Sequence, residues 1–275
     1  MEVGSFVDRL LGSGRLFVLT GAGCSTASGI ADYRDANGRW KYRPPIQHVD
    51  FMTQAATRRR YWARSMQGWP SFAAAKPNGA HRALAELETQ GRIEVLVTQN
   101  VDRLHQRAGS ANVVDLHGRL DRVRCMDCGV EQPRSEVQDW LLEANPAFAP
   151  RADTELRPDG DADIESPPAS FAVPQCRRCG GMLKPAVVFY GDAVPRAVVQ
   201  AAFDSLGRAD ALLAVGSSLM VFSSFRFCRQ AAAEGMPIFV LNRGVTRADD
   251  LATAKCEDAC ETVLGQIAAS AGHAC

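Results

Sequence analysis

The chain has 275 residues, 46% of them hydrophobic and 23% charged, and its 31 basic side chains balance 31 acidic ones. This composition excludes a disordered, collagenous or coiled-coil protein, and the zero net charge gives no overall basic field for nucleic acid. No apolar run reaches the roughly 18 residues of a membrane span. No basic or amphipathic presequence precedes the first apolar run, Leu16–Leu19, so we expect a cytoplasmic protein of bacterial type.

Four short apolar runs predict the buried strands of a parallel sheet, because each is too short for a helix and helical patterns separate them. The runs are Leu16–Leu19, Ile93–Val97 (broken by Glu94), Leu212–Val215 and Ile238–Leu241. Helical periodicity fills Ala80–Gln90 and the stretch from Val194 to Leu206. This alternation predicts an α/β fold with a Rossmann-like, doubly wound parallel sheet.

Small or polar residues follow each predicted strand at once. The four tips are Thr20-Gly21-Ala22-Gly23, Thr98-Gln99-Asn100, Gly216-Ser217-Ser218 and Asn242-Arg243-Gly244. The carboxyl ends of parallel strands lie on one rim of the sheet, and ligands bind there. Polar residues also end strands that have no function, but four tips this rich in Gly, Ser, Asn and Gln favour a binding site.

Two segments interrupt the alternation and are predicted to be insertions into the sheet domain. Residues 34–75 are predicted to form a polar, Arg-rich loop and helical module, and residues 119–186 to form a small metal-binding domain. The sheet domain is then made of residues 1–33, 76–118 and 187–275. Pro150–Pro168, which is rich in Asp, Glu and Pro, is predicted to be a solvated loop.

The strongest local signal is a pair of C-x-x-C-G motifs, at Cys125 and Cys128 and at Cys176 and Cys179. Two such knuckles supply four thiolates, the ligand set of a closed tetrahedral zinc site. Because four sulfurs leave no open position, the zinc is predicted to be structural. The 47 residues between Cys128 and Cys176 make an enlarged loop, and two redox dithiols or free cysteines are the alternative.

A glycine-rich turn, Gly21-Ala-Gly23-Cys-Ser25, follows the first predicted strand. Such a strand-to-helix turn lets the backbone approach a pyrophosphate and directs helix N–H groups at it. The turn lacks the third glycine of G-x-G-x-x-G, and the second strand ends in Gln99-Asn100 rather than in an acidic residue. A tight turn without a ligand is therefore the competing interpretation.

Asp115-Leu-His117-Gly118 follows the apolar pair Val113-Val114. An imidazole of ordinary pKa is the natural general base near pH 7, and His117 is therefore the candidate catalyst. A histidine at a strand tip that serves only the structure is the alternative.

Taken together, these motifs resemble those of the sirtuins, the NAD-dependent protein deacylase family, from about Ser13 to Gly265. The motifs that carry the resemblance are GAGCSTASGIADYRD (21–35), TQNVDRLH (98–105), DLHG (115–118), the two knuckles, KPAVVFYGD (184–192), VGSSLMV (215–221) and LNRG (241–244). The text QHVDFMTQAATRRRYWAR and GWPSF is similar to the class II, sirtuin-4-like branch.

The resemblance implies that NAD is the co-substrate and lies along the predicted rim. The residues implied in its binding are Gly21, Ala22, Asp32, Tyr33, Arg34, Gln99, Asn100, Asp102, Gly216, Ser217, Ser218, Asn242, Arg243, Gly244 and Cys260. Asn100 is also implied to orient ribose or water. For Asn100 and Asp102, capping of a following helix is the structural alternative.

The resemblance further implies that acyl-lysine proteins or peptides are the substrates. In the implied reaction the acyl oxygen attacks C1′ of the NAD ribose as nicotinamide leaves, and His117 then takes a ribose hydroxyl proton. Lysine and O-acyl-ADP-ribose are the other products. Val188, Phe189 and Tyr190 match the strand that pairs with the substrate peptide by β-augmentation.

Tyr61 and Arg64 form a Y-x-x-R pair in the segment that, by resemblance, covers the acyl channel. Residues three apart share one face of a helix, and a guanidinium with a hydroxyl can bind a carboxylate. The pair resembles the one that reads acidic acyl groups in the desuccinylating branch of the family. A solvated basic helix face is the alternative.

Two other functions compete with deacylation. An NAD-dependent protein ADP-ribosyltransferase would use the same co-substrate, and a non-catalytic NAD-sensing protein with a zinc ribbon would share the fold. The sensor would not need His117 or the TQNVD motif, which makes an enzyme the favoured hypothesis.

Overall fold

The computed structural model describes residues 1–42, 45–148, 160–161 and 167–272. It divides into two compact units, the first made of residues 1–42, 76–116 and 194–275 and the second of residues 43–75 and 117–193. The solvated loop predicted from Pro150 to Pro168 lies largely outside the described residues. The boundaries of the three predicted segments stay a prediction.

The first unit is built on a six-stranded sheet in the order β3-β2-β1-β7-β8-β9, and every neighbouring pair is parallel. Its strands are β1 (Leu16–Thr20), β2 (Ile93–Thr98), β3 (Val113–Asp115), β7 (Ala211–Val215), β8 (Ile238–Leu241) and β9 (Ala254–Cys256). Its helices are α1 (Val3–Leu11), α4 (Gly79–Thr89), α5 (Leu104–Ala108), α7 (Arg196–Leu206), α8 (Phe222–Ala233) and α9 (Cys260–Gly272).

Alternate residues of the central strands enter two separate apolar cores, one on each face of the sheet. In β1, Leu16 and Val18 pack into one core, while Phe17 and Leu19 pack into the other. Side chains of a strand alternate between faces, so a strand covered on both faces is apolar throughout. The four predicted strands and the doubly wound parallel sheet are confirmed.

The second unit contains a three-stranded antiparallel sheet in the order β5-β4-β6 and three helices. Its elements are α2 (His48–Thr53), α3 (Ala55–Ala74), β4 (Gly118–Cys125), β5 (Glu131–Pro133), α6 (Arg134–Ala144) and β6 (Leu183–Val187). Trp62 and Met66 of α3 are fully buried in an apolar cluster that also contains Cys125 and Cys176. The expected helical module and small metal-binding domain are therefore both present.

One local expectation is wrong. Two short 3₁₀ turns, Ala22–Cys24 and Thr26–Ser28, follow β1 where an α-helix was expected, and Gly29 ends them with a φ of 82°. Ser25 and the following residues hydrogen-bond within these turns, so no long helix begins at Gly21. The segment Val188–Tyr190 lies beyond the end of β6 and includes an isolated bridge between Gln47 and Tyr190, and its pairing with a substrate peptide stays a prediction.

None of the helices in the described part of the chain combines the length and the apolar character that a membrane crossing requires.

Candidate active site

The four knuckle cysteines come together in the second unit, and their sulfur atoms all lie within 4.8 Å of one another. Cys125 Sγ is 3.6 Å from Cys179 Sγ, and Cys128 Sγ is 3.8 Å from Cys176 Sγ. Zinc–sulfur bonds of about 2.3 Å place the sulfurs of a tetrahedron about 3.8 Å apart. The described cysteines form no disulfide. The four thiols therefore fit one structural zinc ion.

The glycine that follows each knuckle has the backbone conformation that the turn requires. Gly129 and Gly180 have φ values of 71° and 74°. The N–H of Cys128 donates to Cys125 Sγ at 3.5 Å, and this bond is the largest of several contacts that lower the pKa of the Cys125 thiol to about 7. A thiolate is the form that binds zinc, so the turn favours metal binding.

In the first unit, the tips of β1 and β7 are in direct backbone contact. Gly21 N–H donates to Val215 O at 3.0 Å, and Gly23 N–H donates to Gly216 O at 2.8 Å. A Cβ on Gly216, whose φ is 58°, would lie 2.3 Å from Cys24 N. The glycines are therefore required by the close approach of the two tips, whether or not a phosphate binds there.

A hydrogen-bonded cluster of polar side chains lies at the ends of β1 and β2. Ser25 Oγ donates to Asp102 Oδ2 at 2.7 Å, and Asn100 Nδ2 donates to Ser25 Oγ at 3.1 Å and to Gly21 O at 3.0 Å. Burial raises the pKa of Asp102. Asp102 Oδ1 also accepts the N–H of Leu104, the first residue of α5, at 2.9 Å, although the cap position of that helix is Arg103.

Gln99 links the tips of β1, β2 and β7. Its Nε2 donates to Ser217 Oγ at 2.8 Å and to Thr20 O at 3.2 Å. Ser217 Oγ accepts the N–H of Leu219 at 3.2 Å, while Ser218 is half-buried. Three of the four predicted tips thus meet at one rim, as the parallel sheet predicts.

The loop that carries Asp32, Tyr33 and Arg34 is supported by contacts of its own. Lys41 Nζ lies 2.5 Å from Asp32 Oδ1, and the Arg34 guanidinium lies 4.0 Å from the centre of the Trp40 ring. Tyr33 meets the same ring edge to face. The polar groups of Asp32 and Arg34 therefore have partners inside the loop.

The tip of β8 is joined to this loop. Val245 N–H donates to Ala36 O at 2.8 Å, and a Cβ on Gly244 would lie 2.2 Å from that oxygen. Asn242 Nδ2 donates to Arg243 O at 2.9 Å, and the Arg243 side chain is exposed. Ala22 is half-buried, as is Cys260 at the start of α9, where burial raises the thiol pKa to about 11.

In the second unit, His117 lies just before β4 and is half-exposed. Its carbonyl accepts the N–H of Val188 at 2.9 Å. Gly118 has a φ of 79°, and a Cβ there would lie 2.2 Å from Ala186 O. His117 is thus held against the segment implied in peptide binding.

That segment packs on aromatic side chains of the helical module. The ring of Phe189 lies 5.2 Å from that of Phe51 and 5.5 Å from that of Tyr61. Tyr190 O accepts the N–H of His48 at 2.8 Å. The chain direction around Val188–Tyr190 is therefore set by side-chain packing and by main-chain contacts outside the sheet.

Arg64 and Tyr61 share one side of α3, as their spacing predicts, and neither is a solvated surface residue. Tyr61 is 4% exposed. Arg64 Nη2 lies 3.7 Å from Asp161 Oδ2, and the two side chains are 13% and 2% exposed. Arg134 of α6 is fully buried, and Asp161 acts electrostatically on it as well. Two guanidiniums therefore share one described carboxylate.

The sequence interpretation missed a buried cluster in the first unit formed by Cys24, His81 and His105. Burial lowers the pKa of His81 to about 4 and also lowers that of His105, so both rings are neutral at pH 7. The sequence carries a local signal only for His81, which forms a capping box with Asn78 at the start of α4.

A doubly wound parallel sheet with a glycine-rich rim, together with a module that holds four thiols, defines a nucleotide-binding α/β protein with a structural metal site. A model of the Sir2 family matches residues 21–223, about three-quarters of the chain. The chain belongs to the Sir2 family.

Its relatives include "NAD-dependent protein deacetylase 2" of Bradyrhizobium diazoefficiens, which is 59% identical over 91% of this chain and 92% of its own length. "NAD-dependent protein lipoamidase sirtuin-4, mitochondrial" of Bos taurus is 48% identical over 93% of this chain and 82% of its own length. The resemblance to the sirtuins, including the sirtuin-4-like branch, is confirmed.

Solved structures of similar fold carry the ligands that the resemblance implies. A Sir2 complex with a p53 peptide and NAD⁺ has a TM-score of 0.76 at 28% identity and covers 100% of both chains. A structure of Sir2Tm bound to a propionylated peptide has a TM-score of 0.75 at 29% identity and covers 99% of both chains.

Proposed function

We propose that this protein removes acyl groups from protein lysines with NAD as co-substrate, and releases nicotinamide and O-acyl-ADP-ribose. The observation that carries the proposal is the cluster of Ser25, Asn100 and Asp102 at the ends of β1 and β2. Relatives at up to 59% identity in the same family are named NAD-dependent protein deacetylases.

The ribose of NAD is assigned to the rim formed by Gln99, Asn100 and Asp102. Asn100 already donates to Gly21 O and Ser25 Oγ, so its amide is held in one orientation and its oxygen can accept from a ribose hydroxyl or from water. A preoriented amide loses little entropy when the ligand binds. The adenosine side is assigned to Gly216, Ser217, Ser218, Asn242 and Arg243, with Gly244 and Cys260 beside them.

His117 is assigned as the general base. It accepts a proton from a ribose hydroxyl, and that hydroxyl then attacks the carbon of the transferred acyl group. The backbone contacts with Val188 and the glycine at position 118 hold the main chain of His117 in place. The zinc ion takes no part in this step, because its four thiolate ligands leave no position open.

The peptide substrate is assigned to Val188–Tyr190, where it adds a strand by main-chain hydrogen bonds. Tyr61 and Arg64 are assigned to the acyl group. A guanidinium together with a tyrosine hydroxyl can hydrogen-bond a carboxylate, which favours an acyl chain that ends in a carboxylate. Cytoplasmic location is also proposed, because a reducing compartment keeps the zinc-binding thiols free of disulfides.

The test combines a panel of acyl-lysine peptides with NAD labelled in its adenylate part. Deacylation requires nicotinamide release with the label in a small acyl product. Label that becomes attached to protein would instead identify an ADP-ribosyltransferase. NAD binding without nicotinamide release from any peptide would identify a sensor and contradict the proposal.

A further inference from the structure

Cys24, His81 and His105 bring three metal-binding atoms together inside the first unit. The sulfur and one nitrogen of each ring all lie within 4.8 Å of one another. The three residues come from the turn after β1, from the first turn of α4 and from α5, and each is at most 1% exposed. The two imidazole rings lie 4.7 Å apart between their centres.

The hydrogen bonds around the cluster leave one ring nitrogen of His105 for a further ligand. His105 Nε2 lies 2.9 Å from Thr20 Oγ1, whereas its buried Nδ1 has no hydrogen-bond partner among the described residues. His81 Nδ1 accepts the N–H of Asn78 at 3.3 Å, so its Nε2 carries the ring proton and lies 3.5 Å from Ser25 Oγ, at the limit of a hydrogen bond. A buried nitrogen without a partner is unfavourable, and a bound cation would supply the missing partner.

We propose that Cys24, His81 and His105 form a second metal site, selective for Zn²⁺ and similar transition-metal ions such as Co²⁺. One thiolate and two neutral imidazoles are ligands that these ions prefer, whereas Mg²⁺ and Ca²⁺ require oxygen ligands. Binding exchanges one proton for the metal, because the Cys24 thiol forms its S–metal bond as its S–H bond breaks and the proton passes to solvent. A metal bond to either nitrogen of His81 breaks the Asn78 contact, and a bond to Nε2 also moves the ring proton to Nδ1.

The present distances also predict how binding proceeds. Zinc bonds of about 2.0–2.3 Å would hold the three ligand atoms about 3.3–3.8 Å apart, so the cluster contracts by up to about 1 Å when a metal enters. Because all three side chains are buried, the metal enters through a transient opening of the turn or of α5. Uptake is therefore slow compared with binding at a surface site.

The experiment uses the full chain with its structural zinc in place and adds Co²⁺ as the probe. We expect one additional Co²⁺ per chain, a sulfur-to-cobalt charge-transfer band, and no release of zinc. Cys24→Ser should abolish the band and weaken Co²⁺ binding at least tenfold. Cys228→Ser, which changes another buried thiol of the same unit, is the matched control and should behave like the parent chain.

His105→Gln is the second variant and should also weaken Co²⁺ binding at least tenfold, which keeps the proposal testable if Cys24→Ser fails to fold. Equal Co²⁺ uptake by the parent chain and by either folded variant would overturn the site. Uptake matched by zinc release would also overturn it, because the cobalt would then occupy the knuckles. None of these readouts depends on deacylation, so the proposed function can fail without affecting this test.

Discussion

Gly118 leaves the backbone no room for a side chain, and this fixes the main chain of the residue before it. A Cβ at position 118 would lie 2.2 Å from Ala186 O. The carbonyl of His117 is held by Val188 on the same side. A general base has to be placed within hydrogen-bond reach of its proton, so a rigid backbone at this point serves the proposed reaction.

His117→Ala is expected to lower the deacylation rate by about 10²–10⁴, the usual contribution of a positioned general base. Because the side chain is half-exposed and the backbone contacts remain, zinc content and the free energy of unfolding should be nearly unchanged. Steady-state turnover of an acyl-lysine peptide checks the rate. Near-normal turnover by the folded variant would remove His117 from the mechanism.

Arg64→Ala is expected to lose acidic acyl substrates selectively. A hydrogen bond to a charged group contributes about 1.5–3 kcal/mol, which corresponds to a roughly 10- to 150-fold loss in kcat/KM for glutaryl peptides. Acetyl turnover should stay largely unchanged.

The matched control is Arg60→Ala, which removes an exposed arginine from the same helix. Equal losses on acetyl and glutaryl peptides would place Arg64 in the scaffold, where it holds Asp161.

At the scale of elements, the four thiols connect two hairpin turns that are far apart in sequence. Cys176→Ser is expected to release the zinc and to unfold at least the small domain, since thiolate–zinc bonds contribute on the order of 10 kcal/mol in small modules. Metal analysis and circular dichroism measure the two effects. The control, Cys256→Ser, removes a buried thiol outside the cluster and should keep the zinc.

The contact between the β1 and β7 tips predicts a large difference between two glycine substitutions. Gly216→Ala forces a Cβ to within 2.3 Å of Cys24 N, whereas a Cβ on Gly235 meets nothing within 4 Å, and both glycines have positive φ. Gly235→Ala should therefore cost only the conformational strain, about 1–2 kcal/mol.

Gly216→Ala should lower the free energy of unfolding by at least about 2 kcal/mol more than Gly235→Ala does, because the backbone has to move. Urea unfolding of the two variants measures the difference. Equal losses would mean that the two tips separate at little cost.

The sequence predicted elements well where periodicity was strong and less well where local hydrogen bonds decided the backbone. Short apolar runs located β1, β2, β7 and β8, with Glu94 the one interruption, because a strand buried on both faces has few polar positions. The helix expected after β1 is absent because Cys24 N–H donates to Gly21 O and Ser25 N–H donates to Ala22 O, in tight 3₁₀ turns. No periodicity in the sequence reports such turns.

The same contrast applies to the candidate site. Motif spacing alone predicted that the four knuckle cysteines form one cluster, because each C-x-x-C-G motif is a complete local structure. Motif spacing could not predict the cluster of Cys24, His81 and His105, because these residues come from three elements and follow no local pattern. Nor could it show that Arg64 faces Asp161, because that contact depends on how a long insertion returns to the helix.

For the molecule as a whole, the order of strands in the sheet affects how the chain folds during its synthesis. β1 lies between β2 and β7, and Leu16 pairs with Ala211, about 195 residues later in the chain. At about 5–20 residues per second, a ribosome needs roughly 10–40 s to deliver the second partner of β1. During that time the apolar strand exposes an unpaired edge that can capture another chain. Slow translation of the stretch before β7 should therefore favour aggregation, and chaperones that cover nascent strands should raise the yield of folded protein.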